Sequence, residues 1–200
     1  YGAGCGLAGG GEGAGRSASE GQGGAIGAIG VMIRRASIED AEAIATIHVR
    51  SWQTAYAGIF PAEFLANLSV EKRVSAWREQ LSHNTGTIFI AEDNGLLTGW
   101  VAGGLSADAD AVGESEVQAI YVLPEYWDKG VGGELMQAIE QALPPSPGIT
   151  LWVLRDNWRA VRFYEKRGYV ADGAQEELER GGVKRWKIRL RKNAADSAAA

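Results

Sequence analysis

The residues from Val122 to Met136, VLPEYWDKGVGGELM, combine features that together suit an anion site. An apolar run ends at Pro124, glycines follow at Gly130, Gly132 and Gly133, and a helical pattern then begins. A helix N-terminus presents unpaired N–H groups and the positive end of the helix dipole. Glycines let backbone approach a phosphate with no Cβ between. Lys129 adds a positive charge beside the turn, and Val131 stands between two of the glycines. A plain tight turn would show the same pattern. A dinucleotide-binding turn is disfavoured: it calls for G-x-G-x-x-G early in a βαβ unit, with an acidic residue about 20 positions on.

A second segment, Leu151 to Tyr169 (LWVLRDNWRAVRFYEKRGY), carries an amide and a phenol at helical spacing. Asn157 suits a helix N-cap. Tyr164 stands seven residues later. Seven helical residues turn through about 700° and rise roughly 10.5 Å, so both lie on nearly one face. A long ligand along that face would meet the amide at one end and the phenol at the other. Taken alone, Tyr164 reads first as a half-buried aromatic. His48 reads first as a packed residue of an amphipathic helix.

Other chemistries are poorly served. The one cysteine, Cys5, lies in a glycine-rich start, so the folded part has no cysteine nucleophile and the chain no internal disulfide. His48 and His83 are the only histidines, which disfavours a His-rich metal site; no metal is expected. G-x-S-x-G and G-x-x-x-x-G-K-[ST] motifs are absent. The formal net charge of −5 argues against nonspecific nucleic-acid binding, which requires a basic surface. The uncharged run Gly21 to Ile33 has 13 residues, and no uncharged run in the chain exceeds 14, short of the ~20 that a membrane span needs. No secretory pattern opens the chain, so a cytoplasmic protein is expected.

These groups must be positioned by one domain. Of the 200 residues 28 are glycine, and 13 of those fall within residues 1–30. That segment has too few large aliphatics to offset ordering entropy and is expected to be a disordered tail outside the fold, a fusion, tag or upstream translation. Residues 31–191 form the domain, and 192–200 read as a frayed end. Val31–Ala36 suggests a strand, Ser37 with Asp40 a capping-box helix start, and Pro61–Leu68 and Val70–Leu81 two further helices. Thr87–Glu92 and Leu96–Leu105 flank Asn94-Gly95, a hairpin signal. An acidic loop, Ser106–Gly113, precedes a strand at Glu116–Leu123. A helix at Glu134–Leu143, a buried strand at Ile149–Leu154, a helix at Asn157–Arg167 stopped by Gly168, an extended run from Tyr169 and a strand at Val183–Leu190 complete an α/β (α+β) order.

Together the two opening segments resemble the GCN5-related N-acetyltransferase family, bacterial type, over nearly all of residues 31–191. Gly130 and Gly132 fall on its acyl-CoA signature Q/R-x-x-G-x-G/A, with Trp127 at the Q/R position. Asn157, Ala160, Phe163, Tyr164, Gly168 and Tyr169 fall on N-x-x-A-x-x-F-Y-x-x-x-G-F/Y. The opening IATIHVRSWQTAYAGIFP is similar to first helices of bacterial members. The resemblance implies a mixed, mostly antiparallel sheet with helices on both faces, whose fourth and fifth strands are parallel and splay apart. It implies acetyl-CoA as cosubstrate, with its pyrophosphate on the backbone of Lys129 to Gly133 and its pantetheine arm added to the backbone of Ile120, Tyr121 and Val122. Asn157 and Tyr164 would face that arm. Glu116 occupies the place of a base, with Glu114 as competitor and a solvated strand-edge carboxylate as the alternative. Tyr164 would protonate or hydrogen-bond the leaving thiolate. The implied activity is direct acetyl transfer to a primary amine of a small molecule or peptide. That acceptor would lie near Trp52, Tyr56 and the loop Ser106–Gly113, where Asp108, Asp110 and Glu114 would attract a cation. The alternative is a noncatalytic acyl-CoA-binding module. The final strand around Trp186 would offer an edge for a homodimer.

Overall fold

The computed structural model describes residues 30–83 and 86–194. The expected glycine-rich tail, apart from Gly30, and residues 195–200 lie outside the described residues. Seven strands form one sheet: β1 (Val31–Arg35), β2 (Thr87–Asp93), β3 (Leu96–Leu105), β4 (Ser115–Val122), β5 (Gly148–Leu154), β6 (Val170–Arg180) and β7 (Val183–Asn193), in the order β1-β2-β3-β4-β5-β7-β6. Every described neighbour pair is antiparallel except β4–β5. Asn94 and Gly95 take positive φ at the β2–β3 turn, as a primed hairpin turn requires.

Helices cover both faces. Helices α1 (Ala41–Ala55), α2 (Ala62–Ala66) and α3 (Val70–His83) build one core with Ile90, Trp100 and Tyr121. Helices α4 (Val131–Ala142) and α5 (Trp158–Glu165) build the other with Val101, Ile120, Val122 and Leu151. Adjacent residues of one strand serve opposite cores, because side chains alternate across a sheet.

Two irregularities shape the middle of the sheet. Gly103 pairs with Val117 and Ala102 with Ala119, so Gln118 is an extra residue in β4. This bulge reverses the alternation. Val117 before it and Ile120 and Val122 after it all face the α4 core. Glu116 therefore shares the α1 face with Ala119 and Tyr121. The second irregularity lies between the parallel strands. They share two register pairs, Ser115 with Ile149 and Glu116 with Thr150, and then part. The sheet opens beyond Glu116.

Several sequence boundaries shift. Helix α4 starts at Val131 rather than Glu134, so Gly132 and Gly133 lie in its first turn, where the helix end tolerates poor helix formers. Strand β7 runs to Asn193, past the expected stop at Leu190, because Ile149 and the added first residue of β5, Gly148, pair with Lys192 and Asn193. Lys192 and Asn193 thus belong to the sheet, not to a frayed end. The strand around Trp186 offers no edge for a dimer: β7 is internal, and β6 folds back to cover its outer side.

The junction of β3 with α4 is tight at Gly103. A Cβ there would lie 2.9 Å from the Glu116 carbonyl oxygen and 3.1 Å from Ile139 Cγ1. At Gly104 the nearest atom would be Gln118 Nε2 at 3.5 Å, an ordinary contact. Gly103→Ala is therefore expected to destabilise the fold by about 1–3 kcal/mol. Gly104→Ala should stay within about 0.5 kcal/mol of wild type. Thermal denaturation of both variants measures the contrast.

Candidate active site

The opening between β4 and β5 exposes backbone of known polarity. Leu123 N–H donates to the Thr98 carbonyl at 2.8 Å, which sets the hydrogen-bonded positions of the antiparallel β3–β4 pair. By that alternation Tyr121 exchanges its backbone bonds with Trp100, while Ile120 and Val122 turn theirs toward the gap. The Val122 carbonyl accepts from Trp127 Nε1 at 2.8 Å and Ser51 Oγ at 3.2 Å. So of the three expected backbone positions, Ile120 presents both groups to the gap and Val122 its N–H. Tyr121 sends its side chain to the α1 face, where its hydroxyl accepts from Trp52 Nε1 at 2.9 Å.

At the end of the gap the chain makes a 3-10 turn at Pro124–Tyr126 and enters α4. Gly130 is the N-cap, at φ 88°, a left-handed conformation that glycine adopts without Cβ strain. Its carbonyl accepts from the N–H groups of Gly133 and Glu134. The N–H groups of Val131 and Gly132, at the head of the helix, have no carbonyl one turn before them and point outward along its axis. Val131 puts its side chain into the core. The three glycines line a groove of about 430 Å³ with Arg159, Arg162, Lys166 and Arg167 of α5 and its following turn. A Cβ on Gly133 would meet Arg167 Nη2 at 2.7 Å. Lys129 is not part of that lining; its ammonium stands 5.1 Å from the Tyr126 ring centroid. Sequence reasoning missed the four α5-side cations. Their signal was a basic stripe, 159, 162 and 166, at i, i+3 and i+4 steps.

Asn157 caps α5 by accepting from Ala160 N–H through Oδ1 at 3.3 Å. Its Nδ2 is buried with no partner among the described residues. It lines a cavity of about 230 Å³ with Trp127, Thr54, Ile59 and Arg159. Tyr164 is fully buried on the α4 side, edge-on to Phe163 and Tyr169. Trp127 is held from two sides, by its bond to Val122 and by Arg159 at 4.4 Å from a ring centroid.

Glu116 sits at the last paired register before the sheet opens. Burial pushes its carboxyl above the ordinary glutamate range, and Asp108 pushes the same way. Ser106 Oγ, which donates to Oε2 at 3.4 Å, the Ala107 backbone and Lys187 pull against them. Its competitor Glu114 is buried in an ion pair with Arg191. The acidic loop is likewise partnered. Asp108 accepts from Trp152 Nε1 and Arg189, and Asp110 takes Arg189 in a bidentate pair. Of the three carboxylates expected to attract a cation, Asp108 and Asp110 thus share Arg189, which Asp172 also takes, and Glu114 pairs with Arg191. Trp52 and Tyr56 are buried in the α1 core rather than open to an acceptor. His48 is packed there too, stacked 4.6 Å from Tyr121, and burial pushes its pKa down to about 3. Among the described residues no three His, Cys, Asp or Glu side chains form a group that could hold a metal. No described helix is long and apolar enough to cross a membrane.

A mixed sheet parted at its one parallel pair, with a glycine-capped helix N-terminus at the open end, defines the GNAT acyltransferase class of fold. The chain belongs to the acetyltransferase (GNAT) family, whose model matches residues 42–169. It is 28% identical over 158 residues to an uncharacterised N-acetyltransferase, YuaI, of Bacillus subtilis, covering 77% of this chain and 88% of that protein. It is 29% identical over 151 residues to spermidine N(1)-acetyltransferase of Thermoplasma acidophilum, covering 71% and 89%. The crystal structure of PaiA N-acetyltransferase from Thermoplasma acidophilum in complex with coenzyme A superposes with a TM-score of 0.60 at 23% identity, over 82% of this chain and 99% of that one.

Proposed function

We propose that this protein moves the acetyl group of acetyl-CoA directly to a primary amine. The observation that carries the reading is the placement of Glu116, a half-buried carboxylate with a raised pKa, where β4 and β5 part. The chain's groups fit the cosubstrate. Ile120 and the Val122 N–H would bind an extended arm as an added strand. The α4 N-terminus with Arg159, Arg162 and Arg167 would hold phosphates. The buried Asn157 Nδ2 would gain the acceptor it needs. The coenzyme A in the Thermoplasma structure supports this choice.

Bound acetyl-CoA supplies an activated thioester; the protein supplies position and proton handling. An amine of pKa about 10.4 and an unperturbed glutamate near 4.3 differ by about six units, roughly 8 kcal/mol against proton transfer. Burial of both narrows that gap, raising the acid and lowering the ammonium. Glu116 accepts the amine proton, and Tyr164 stabilises the departing sulfur. A phenol near pKa 10 is a weaker acid than a thiol near 8.5, so hydrogen-bonding to the developing thiolate is its main part. Asp108, Asp110 and Asp172 share the single charge of Arg189 while Glu114 pairs with Arg191, so the loop keeps net negative charge, which suits a cationic amine and does not by itself separate a monoamine from a polyamine such as the Thermoplasma relative's spermidine.

The test pairs two measurements. Calorimetry should detect acetyl-CoA binding. A thiol-release assay over spermidine, amino-acid esters and short peptides should find turnover with at least one amine. Binding without turnover on any amine would leave a noncatalytic acyl-CoA-binding module instead.

A further inference from the structure

The loop between β3 and β4 is tied to the far half of the sheet at its end by Arg191, which pairs with Glu114, and in its middle by a second side chain of β7, a buried one. Arg189 in β7 is 6% exposed. Its Nε donates to Asp172 Oδ2 in β6 at 2.6 Å. Its Nη1 donates to Asp108 at 3.0 Å and Asp110 at 2.6 Å, and Nη2 donates to Asp110 at 2.7 Å. Trp152 of β5 donates to the same Asp108 oxygen at 3.0 Å. Beside the ladder of two register pairs, the loop is thus a second bridge between strands β1–β4 and strands β5, β7 and β6. It also carries Ser106, whose hydroxyl reaches Glu116.

A bridge that needed cohesion alone would be served as well by apolar residues, since desolvating an arginine and carboxylates is costly. What the planar fork adds is direction: two parallel bonds to one carboxylate fix the loop's orientation as well as its distance. We infer that Arg189 is a positioning residue that latches the β3–β4 loop across the opened sheet and so holds Ser106 and Glu116 at the head of the gap. The consequence for catalysis rests on the acetyl-transfer reading above; the latch itself does not.

Asp110→Asn is the cleaner probe, because that side chain is 68% exposed and its loss opens no core cavity. Arg189→Lys keeps the charge and removes the fork. Hydrogen exchange reads the latch without any activity: the amides of Ala111 and Glu114, bonded within the loop, should exchange about tenfold faster in Asp110→Asn, while α4 core amides stay unchanged. Acetyl-CoA affinity by calorimetry should stay within about twofold, while kcat/KM for the best amine of the panel falls about tenfold with a raised amine KM. A merely structural role would lower the number of binding-competent molecules and leave KM alone. Unchanged loop exchange overturns the latch. Faster exchange with unaltered amine kinetics per competent site overturns its positioning role. If the wild type turns over no amine, the transfer reading fails, and loop exchange alone decides for or against the latch.

Discussion

Replacing Glu116 with glutamine is expected to lower kcat/KM for the amine by about 10²–10³-fold near neutral pH, the usual scale of a lost general base. The isostere keeps volume and the Ser106 contact, so the loss is chemical. In wild type, burial and Asp108 raise the Glu116 pKa. Because the ionised form is the base, activity falls as pH falls through that raised value, and the acid limb lies above the ordinary glutamate range near 4.3. In the glutamine variant that limb disappears, and the residual rate climbs with pH as the amine loses its own proton. The stability effect has the opposite sign. An acid whose folded pKa is raised holds protons more tightly folded than unfolded, so stability falls as pH rises from the unfolded towards the folded value. The neutral variant escapes this cost and should melt no lower than wild type at pH 7. A pH–rate profile with its acid limb intact in Glu116→Gln would remove the residue from the mechanism.

Tyr164→Phe is expected to lower kcat by about 10²-fold, with acetyl-CoA affinity within about threefold of wild type. The phenyl ring fills the same buried place against Phe163 and Tyr169, so packing is retained. What goes is a donor for the leaving sulfur. An aromatic needed only for packing would lose its hydroxyl with little change in turnover. The diagnostic is therefore the split: stopped turnover with retained binding assigns the phenol to the chemical step, and unaltered kcat returns Tyr164 to the core. A thiol-release assay beside calorimetry on the same preparation measures both.

Much of this was legible in the chain because it is local. The Asn94-Gly95 turn, the proline stops after α4 and the glycine stop after α5 act within a few residues of where they stand. The two signature segments are also continuous in sequence, so the GNAT fold could be recognised before any contact was known. The α5-side cations were less visible. Arg159, Arg162 and Lys166 form a stripe on one helix, but its relation to the Gly130 turn depends on how α5 packs beside α4. The partners of the acidic loop were invisible, since Arg189 stands 79 residues from Asp110.

By itself the sequence determined the element order, the family, the glycine-capped helix start and the amide–phenol spacing of α5. Only the tertiary structure decided which carboxylate stands half-buried where β4 and β5 part and which are paired with arginines. Strict alternation would set Glu116, Ile120 and Val122 on one face; the Gln118 bulge sends Glu116 to the other. Charge counting gave the loop to a cation; folding gave Asp108 and Asp110 to Arg189 and Glu114 to Arg191. Both results have one physical cause. The bulge belongs to the β3–β4 pairing, and the ion pairs depend on which strand that pairing sets the β3–β4 loop beside; both follow from sheet register, a property of strand pairs that no single stretch of chain contains.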